Sequence, residues 1–327
     1  MSGKRIVLID LMQGLAMILV ILGHHLFPFL PAWYKSMHYY IYLFHMPFFI
    51  FISAFLIRYS FKEIDGINGY WKYIRRKAVK FIPPYIIIGL LCILLKRPES
   101  LDSFLTQTGS LLIKPLESEA TFLWYIYLLF IFYIVSPLVF ALPQYCKHLL
   151  LAICIILWLY PANTNILCLA YLCKLSPFYM TGVLVAESLD YISNPNHPTI
   201  SHSHRYLGIG VTSLILFILL SILHFQVGYH NVLEHIIPWV AIPALTYLAW
   251  LLGRSAFIRS ALVFISINCF GIYLLHLFFV QALALAAGRL SIVGTTIGAL
   301  IYLTVSISVS IPLAALCWQR INKLIKP

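Results

Sequence analysis

The chain has 327 residues, of which 62% are apolar and only 10% are charged, against about 25% charged residues in a typical soluble domain. So much apolar surface excludes a water-soluble globule, because one compact core could not bury it. The net charge of +12 is gathered in a few short stretches, which argues against nucleic acid as a partner. We therefore expect an integral membrane protein.

Apolar runs separated by charge or by Pro, Gly and Asn predict an all-α, polytopic fold, with about ten transmembrane helices in a single domain over residues 1–327. The first run begins at Ile6, contains Asp10 and leads to no A-x-A-like site, so it is expected to remain as a spanning helix. The predicted helices lie at about 6–29, 40–60, 79–96, 122–142, 147–161, 164–186, 206–226, 235–252, 261–287 and 293–319.

Basic residues orient these helices, because cytoplasmic loops carry an excess of Lys and Arg. With the amino terminus inside, sixteen of the 22 basic residues fall on the cytoplasmic side, while Lys174 falls inside a predicted helix. Both termini are therefore expected in the cytoplasm, in a multi-pass protein of the plasma or inner membrane. The sixteen are Lys4, Arg5, Arg58, Lys62, Lys72, Arg75, Arg76, Lys77, Lys80, Lys147, Arg205, Arg254, Arg259, Arg320, Lys323 and Lys326.

The first predicted helix carries polar residues within IDLMQGLAMILVILGHH, and ionisable groups inside a span indicate function. Gln13 and His24 are eleven residues apart, about three turns, so they share a helix face. Asp10 falls within about 40° of His24 on the same face, and His24 lies about 16 Å along the axis from Gln13. The alternative is that His24 and His25 only mark the wet outer end of the helix.

Other predicted helices also contain histidines. His45 precedes Pro47 in YLFHMPFFIFISAFL, and Tyr273 and His276 lie one turn apart in SINCFGIYLLHLFF. The alternative for each is a hydrogen bond between helices. Histidines without Cys or carboxylate ligands suit proton transfer better than a metal site, so we expect no metal. The His/Ser tract at 197–205 is expected to be a flexible loop.

The densest basic run is YIRRKAVKFIPPYI, which contains Arg75 and Arg76. Such clusters set topology and contact anionic lipid. The alternative is a site for a phosphorylated cytosolic cofactor, because guanidinium groups bind phosphate oxygens bidentately.

At the outer start of the fourth predicted helix, Trp124 is the first residue of the run WYIYLLFIFYIVSPL.

Taken in chain order, these segments resemble the membrane-bound acyltransferase family 3, in particular its branch of fucose-4-O-acetylase-like and other glycan O-acyltransferases. The first-helix signature of the family is a basic residue, ten residues and a histidine, which aligns here with Gln13 to His24. LFHMPFFIFISAFL is similar to the family pattern FHMPLFFFISGFL, with Ala54 where Gly is usual. Further matches are RRKAVKFIPPY, LWYIYLLFIFYIVSPL, SPFYMTGVL and FGIYLLH.

The resemblance implies transfer of an acyl group, usually acetyl, from cytosolic acetyl-CoA or another acyl-CoA to a hydroxyl of a glycan. Acyl-CoA is then a co-substrate, no cofactor is tightly bound, and glycan-assembly proteins are further candidate partners. By this resemblance His24 is the essential histidine and Gln13 occupies the slot of an Arg or Lys. Because Gln offers only neutral amide donors, either Asp10, Gln13 and loop arginines share that task, or the chemistry is reduced or altered.

A histidine in a partly dry pocket stays neutral and competent as a base, so we expect His24 to activate an acceptor that arrives from the outer side. Alternatively His25 faces the pocket, since neighbouring helix positions differ by about 100°. The CoA head group is expected near Arg75 and Arg76. The residues expected to orient the acyl group or the acceptor are His45, Trp124, Tyr273 and His276.

Two other classes of function compete with this hypothesis. A transporter or flippase of a glycan intermediate would use intramembrane His and Asp to carry protons, although the sequence shows no convincing internal repeat. A catalytically altered partner protein in a glycan-assembly complex is favoured by Gln13.

Overall fold

The computed structural model describes residues 6–25, 27–192, 203–228, 230–289 and 294–325, and within these ranges every regular element is helical. The all-α prediction is therefore confirmed. The helices are α1 (Val7–Gly23), α2 (Ala32–Tyr59), α3 (Gly66–Leu95), α4 (Leu101–Ile113), α5 (Trp124–Ala141), α6 (Gln144–Leu159), α7 (Leu169–Ile192), α8 (Ser203–Val227), α9 (Asn231–Leu252), α10 (Ala256–Ile267), α11 (Cys269–Ala287) and α12 (Thr296–Ile325).

Many of these helices suit a lipid bilayer. In the described part of the chain, α2, α3, α5, α7, α8, α9, α11 and α12 are long and apolar enough to cross a membrane, while α1, α6 and α10 are apolar but shorter. Large apolar side chains stay exposed on them; Ile215 and Leu219 of α8 are 54% and 56% exposed, as contact with lipid tails allows. The prediction of a polytopic integral membrane protein is confirmed, and the cytoplasmic location of both termini stays a prediction.

Several predicted helix boundaries were wrong. The first helix ends at Gly23 rather than near 29. Pro28 disfavours helical geometry in the residue before it, so the helix could not have continued to 29. The predicted helix 261–287 is two helices, α10 and α11, which separate at Asn268. The Asn268 side-chain amide Nδ2 donates a hydrogen bond to the Phe264 carbonyl at 2.9 Å, and this bond satisfies a carbonyl in the last turn of α10.

Two loop predictions also changed. The segment 97–121, which lies between the predicted helices 79–96 and 122–142, contains α4; this helix begins where the Ser100 hydroxyl accepts a hydrogen bond from the Ser103 amide at 3.1 Å. The His/Ser tract at 197–205 lies outside the described residues up to position 202, and Ser203 already begins α8.

The chain forms two compact units. The middle unit is Ser53–Pro198 and contains the last turns of α2 together with α3 to α7. The terminal unit is Ser2–Ile52 with Thr199–Pro327, and contains α1, most of α2 and α8 to α12.

In the terminal unit, α1 packs against α9, α10, α11 and α12. Its buried face includes Met12, Ala16 and Met17, each at most 1% exposed. A close approach occurs at Gly14, where a Cβ atom would overlap the Leu262 carbonyl of α10. Only glycine allows the two backbones to pack so closely there, as small residues do between membrane helices.

The segment after α1 folds back onto the end of that helix. Tyr34, which is fully buried, donates a hydrogen bond from its hydroxyl to the Leu22 carbonyl at 2.7 Å. This carbonyl is among the last four of α1, which have no partner within the helix. The contact therefore holds the carboxyl-terminal end of α1 against the start of α2.

The middle unit contains a buried ion network. Lys147 Nζ and Arg58 Nε each lie 2.7 Å from the same oxygen, Glu187 Oε1. The side chains of Lys147 and Glu187 are only 7% and 10% exposed. Charges with so little access to water are tolerated only when they are paired, so Glu187 connects α2, α6 and α7.

We expect Glu187→Gln to lower the free energy of unfolding by about 3 kcal/mol, because it leaves Lys147 and Arg58 without their counter-charge in a poorly hydrated site. Denaturation of the detergent-purified protein measures this. Glu63→Gln, which removes an exposed carboxylate of the same unit, is the control and is expected to change stability by less than about 0.5 kcal/mol. Equal effects of the two substitutions would contradict the conclusion that Glu187 stabilises the middle unit by pairing with Lys147 and Arg58.

Candidate functional site

The polar residues at the amino-terminal end of α1 face α10. The Ser266 hydroxyl donates towards Gln13 Oε1 at 2.8 Å and Asp10 Oδ1 at 3.0 Å. Ser266 is buried, and Asp10 and Gln13 are half-buried. The sequence reasoning placed Asp10 and Gln13 on one helix face but missed Ser266, although a serine within an apolar helix is itself a signal.

A second polar pair lies two residues beyond Ser266. Gln319 Nε2 of α12 donates to Asn268 Oδ1 at 2.8 Å. Asn268, the residue between α10 and α11, therefore also bonds to α12. Sequence reasoning missed both residues. Gln319 is exposed, but Asn268 and Ser266 are buried. These contacts therefore give two buried polar side chains the hydrogen-bond partners that they need between helices.

The two adjacent histidines at the other end of α1 have different surroundings. His25 is fully buried, with Nδ1 2.7 Å from the Ile21 carbonyl and Nε2 2.7 Å from Ser306 Oγ. Because a carbonyl only accepts hydrogen bonds, Nδ1 donates and Nε2 accepts from the serine hydroxyl. Both nitrogens of His25 are thus occupied in holding α1 to α12.

His24 is only half-buried and follows the last helical residue of α1, with φ −95° and ψ 6°. Its ring lies 5.1 Å from that of His276 on α11, centroid to centroid. Among the described residues, no hydrogen bond engages the His24 ring. His24 therefore differs from His25 in having a ring that is partly accessible and available for proton transfer.

His45 and His276 are held through one nitrogen each. His45 Nδ1 donates to the Ile41 carbonyl at 2.8 Å, and His276 Nδ1 lies 2.8 Å from the Tyr273 carbonyl and 3.1 Å from that of Ile272. In each neutral ring the lone pair is therefore on Nε2. The rotation and tautomer of both rings are fixed by their own helices.

The geometry of Gly23 brings His45 to the end of α1. A Cβ at Gly23 would lie 3.8 Å from His45 Nε2 and 3.0 Å from Tyr42 Cε2. The Tyr42 ring lies 4.7 Å from His45 and 4.5 Å from His38. His38 was missed by the sequence reasoning, although its spacing of seven residues from His45 places both on one helix face.

We call His24, His45 and His276 the histidine group. All three belong to the terminal unit; the His24 ring is close to that of His276, and Gly23, the residue before His24, lies next to His45 Nε2. Tyr273, another predicted site residue, is buried on α11 with its ring 5.9 Å from His276. The structure thus brings together four residues predicted from three separate segments. Asp10 and Gln13 lie about three to four turns away along α1.

The remaining predicted site residues belong to the middle unit. Trp124 begins α5, and its ring packs 4.6 Å from that of Tyr171. Arg75 and Arg76 are exposed on α3. Within the described ranges neither arginine forms an ion pair. Among the same residues, no group of three or more His, Cys, Asp or Glu side chains could hold a metal ion.

A family model described as an acyltransferase domain, that of acyltransferase family 3, matches residues 6–316, which is nearly the whole chain. The chain belongs to acyltransferase family 3. It is therefore a membrane acyltransferase, and the match covers the histidine group and the helices that carry it. No curated protein and no solved structure matches the chain.

We expect Ser266→Ala to lower the free energy of unfolding of this acyltransferase by about 1–3 kcal/mol, because Asp10 and Gln13 lose a buried hydrogen-bond donor. Ser260→Ala on the same helix is the matched control. Ser260 is exposed and bonds only to the carbonyl of its own helix, so a change below about 0.5 kcal/mol is expected. Denaturation in one detergent compares both; a Ser266→Ala protein as stable as the control would contradict a structural role.

Proposed function

We propose that this acyltransferase moves an acetyl group from cytosolic acetyl-CoA to a hydroxyl of a cell-envelope glycan, with His24 as the general base. The observation that carries the proposal is the contrast at the end of α1. Both nitrogens of His25 are hydrogen-bonded in a fully buried site, whereas His24 is half-buried beside His276. A base must reach the proton that it removes, which favours His24.

The reaction then follows from general base catalysis. His24 accepts the hydroxyl proton of the acceptor as its oxygen attacks the thioester carbonyl carbon. The tetrahedral intermediate collapses, the carbon–sulfur bond breaks, and the leaving sulfur takes a proton from His24. The histidine is thereby returned to its neutral state, and no net proton is consumed.

His45 and His276 are proposed to orient the reacting groups. Their Nδ1 atoms are bound to backbone carbonyls, so each neutral ring presents Nε2 in a fixed direction as an acceptor for a hydroxyl or for the protonated base. Fixed rings lose little entropy when substrate binds, which is how positioning groups contribute to rate. Tyr273 supports His276 through its backbone carbonyl.

Acyl-CoA enters the proposal as a co-substrate. Its phosphates suit the exposed guanidinium groups of Arg75 and Arg76, since arginine binds phosphate oxygens bidentately. Under the predicted topology these residues face the cytoplasm. Trp124 is proposed to contact the acceptor. The proposal includes a plasma or inner membrane location and the fucose-4-O-acetylase-like branch, with glycan-assembly proteins as candidate partners.

Gln13 favours a second candidate function, that of a catalytically altered partner protein. The slot that holds Arg or Lys elsewhere in the family is occupied here by a neutral amide, and that amide is bonded to Ser266 beside Asp10. Absence of acyl transfer by the intact wild-type protein would favour this candidate.

We expect His24→Ala to lower the rate of acyl transfer by about 10²–10⁴-fold, because the acceptor hydroxyl loses its base. Transfer of label from [¹⁴C]acetyl-CoA to envelope glycan in membrane vesicles measures this rate, with expression and melting temperature checked in parallel. His148→Ala, which removes an exposed histidine of α6, is the control and should retain activity. A folded His24→Ala protein with wild-type activity would overturn the assignment.

A further inference from the structure

A cavity of about 590 Å³ lies within the middle unit. The turn 161–166 between α6 and α7 forms one wall, and the segment after α4 and the start of α7 complete it. Its volume is within the range of about 300–1,000 Å³ that is typical of small-molecule sites. The polar and aromatic side chains of its wall are Lys114, Glu117, Asn163, Thr164, Asn165, Tyr171 and Lys174.

The charges of this cavity are unbalanced. Lys114 Nζ lies 3.1 Å from Glu117 Oε2, and the hydrogen bonds from Lys114 and Asn165 hold the pKa of Glu117 below its usual value. Glu117 is therefore ionised and neutralises Lys114. Lys174 is exposed near the start of α7, and within the described ranges it forms no ion pair. One cation is left to face an anionic ligand.

An aromatic pair adjoins this cation. Lys174 Nζ lies 5.7 Å from the centre of the Tyr171 ring, which packs in turn against Trp124 at 4.6 Å. The faces of aromatic rings carry partial negative charge, whereas the C–H bonds on the face of a sugar ring carry partial positive charge. Tyr171, with its orientation supported by Trp124, is suited to pack against a sugar ring.

The backbone that directly follows the cavity turn is strained. Leu167 and Cys168 have φ angles of 50° and 56°, a left-handed conformation that is costly for residues other than glycine. Hydrogen bonds to Thr164 hold this shape: the Ile166 amide donates to Thr164 Oγ1 at 3.2 Å, and the Ala170 amide donates to the Thr164 carbonyl at 3.1 Å. Strain of this kind is kept where a defined shape is needed.

We propose that this cavity binds a saccharide that bears a carboxylate or phosphate group. Lys174 binds the anionic group, Tyr171 packs on a sugar ring, and Asn163 and Thr164 hydrogen-bond to sugar hydroxyls. That this saccharide belongs to the glycan acceptor rests on the proposed function above. Anion binding by the cavity does not depend on the acyl transfer chemistry.

Binding to detergent-purified protein, measured by isothermal titration calorimetry, tests the proposal. The probes are an oligogalacturonide, its fully methyl-esterified neutral form, and a mannopentaose with and without a terminal phosphate. At least one anionic probe is expected to bind about tenfold more tightly than its neutral counterpart, which corresponds to about 1.4 kcal/mol. Lys174→Glu is expected to abolish this preference, and Tyr171→Ala to weaken binding of all probes.

Matched controls are available for both substitutions. Lys35→Glu changes an exposed lysine that lies outside the cavity, and Tyr160→Ala removes an exposed tyrosine just before the cavity turn; neither should alter binding. Equal affinity for anionic and neutral probes, or an anion preference that survives Lys174→Glu, would overturn the proposal. Probe binding is also measured with His24→Ala. If that variant loses acyl transfer but still binds the probes, saccharide binding by the cavity is shown to be independent of the proposed catalytic role of His24.

Discussion

The hydrogen bonds of His25 determine the geometry at the end of α1. One nitrogen bonds to a carbonyl of the last turn of α1 and the other to Ser306 of α12, so the ring is a buried bridge between two helices. Tyr34 donates a hydrogen bond to the neighbouring Leu22 carbonyl. With the end of α1 held in this way, His24 is directed towards His276 on α11. The position of the proposed base therefore depends on a neighbouring histidine whose two ring nitrogens are both hydrogen-bonded.

Apolar surroundings explain why several polar groups on the helices have a defined partner. A polar group removed from water without a hydrogen bond costs several kcal/mol, and the apolar helices offer few alternatives. Asp10 and Gln13 share Ser266, Asn268 pairs with Gln319, and Glu187 pairs with two cations. These contacts stabilise helix packing. His24 differs from these residues because its ring is partly accessible and no hydrogen bond from the described residues engages it.

The helices themselves were predictable from apolar runs, because a span needs about 20 apolar residues in succession. The break at Asn268 was not, since it depends on an amide that bonds to Phe264 and to Gln319, a residue 51 positions away. The different surroundings of His24 and His25 were not predictable either. Helical rotation separates their directions by about 100°, but only the contact with Ser306 identifies which of the two is occupied.

Chemical modification tests the central claim most directly, because it reports on His24 in the unaltered protein. Diethyl pyrocarbonate acylates accessible imidazole nitrogens that carry a lone pair, and mass spectrometry locates the products. We predict modification of His24 but not of His25, loss of acyl transfer in proportion to the fraction of His24 modified, and protection by acyl-CoA together with acceptor. Modification of His25 while His24 remains intact, or full activity after complete modification of His24, would contradict the account.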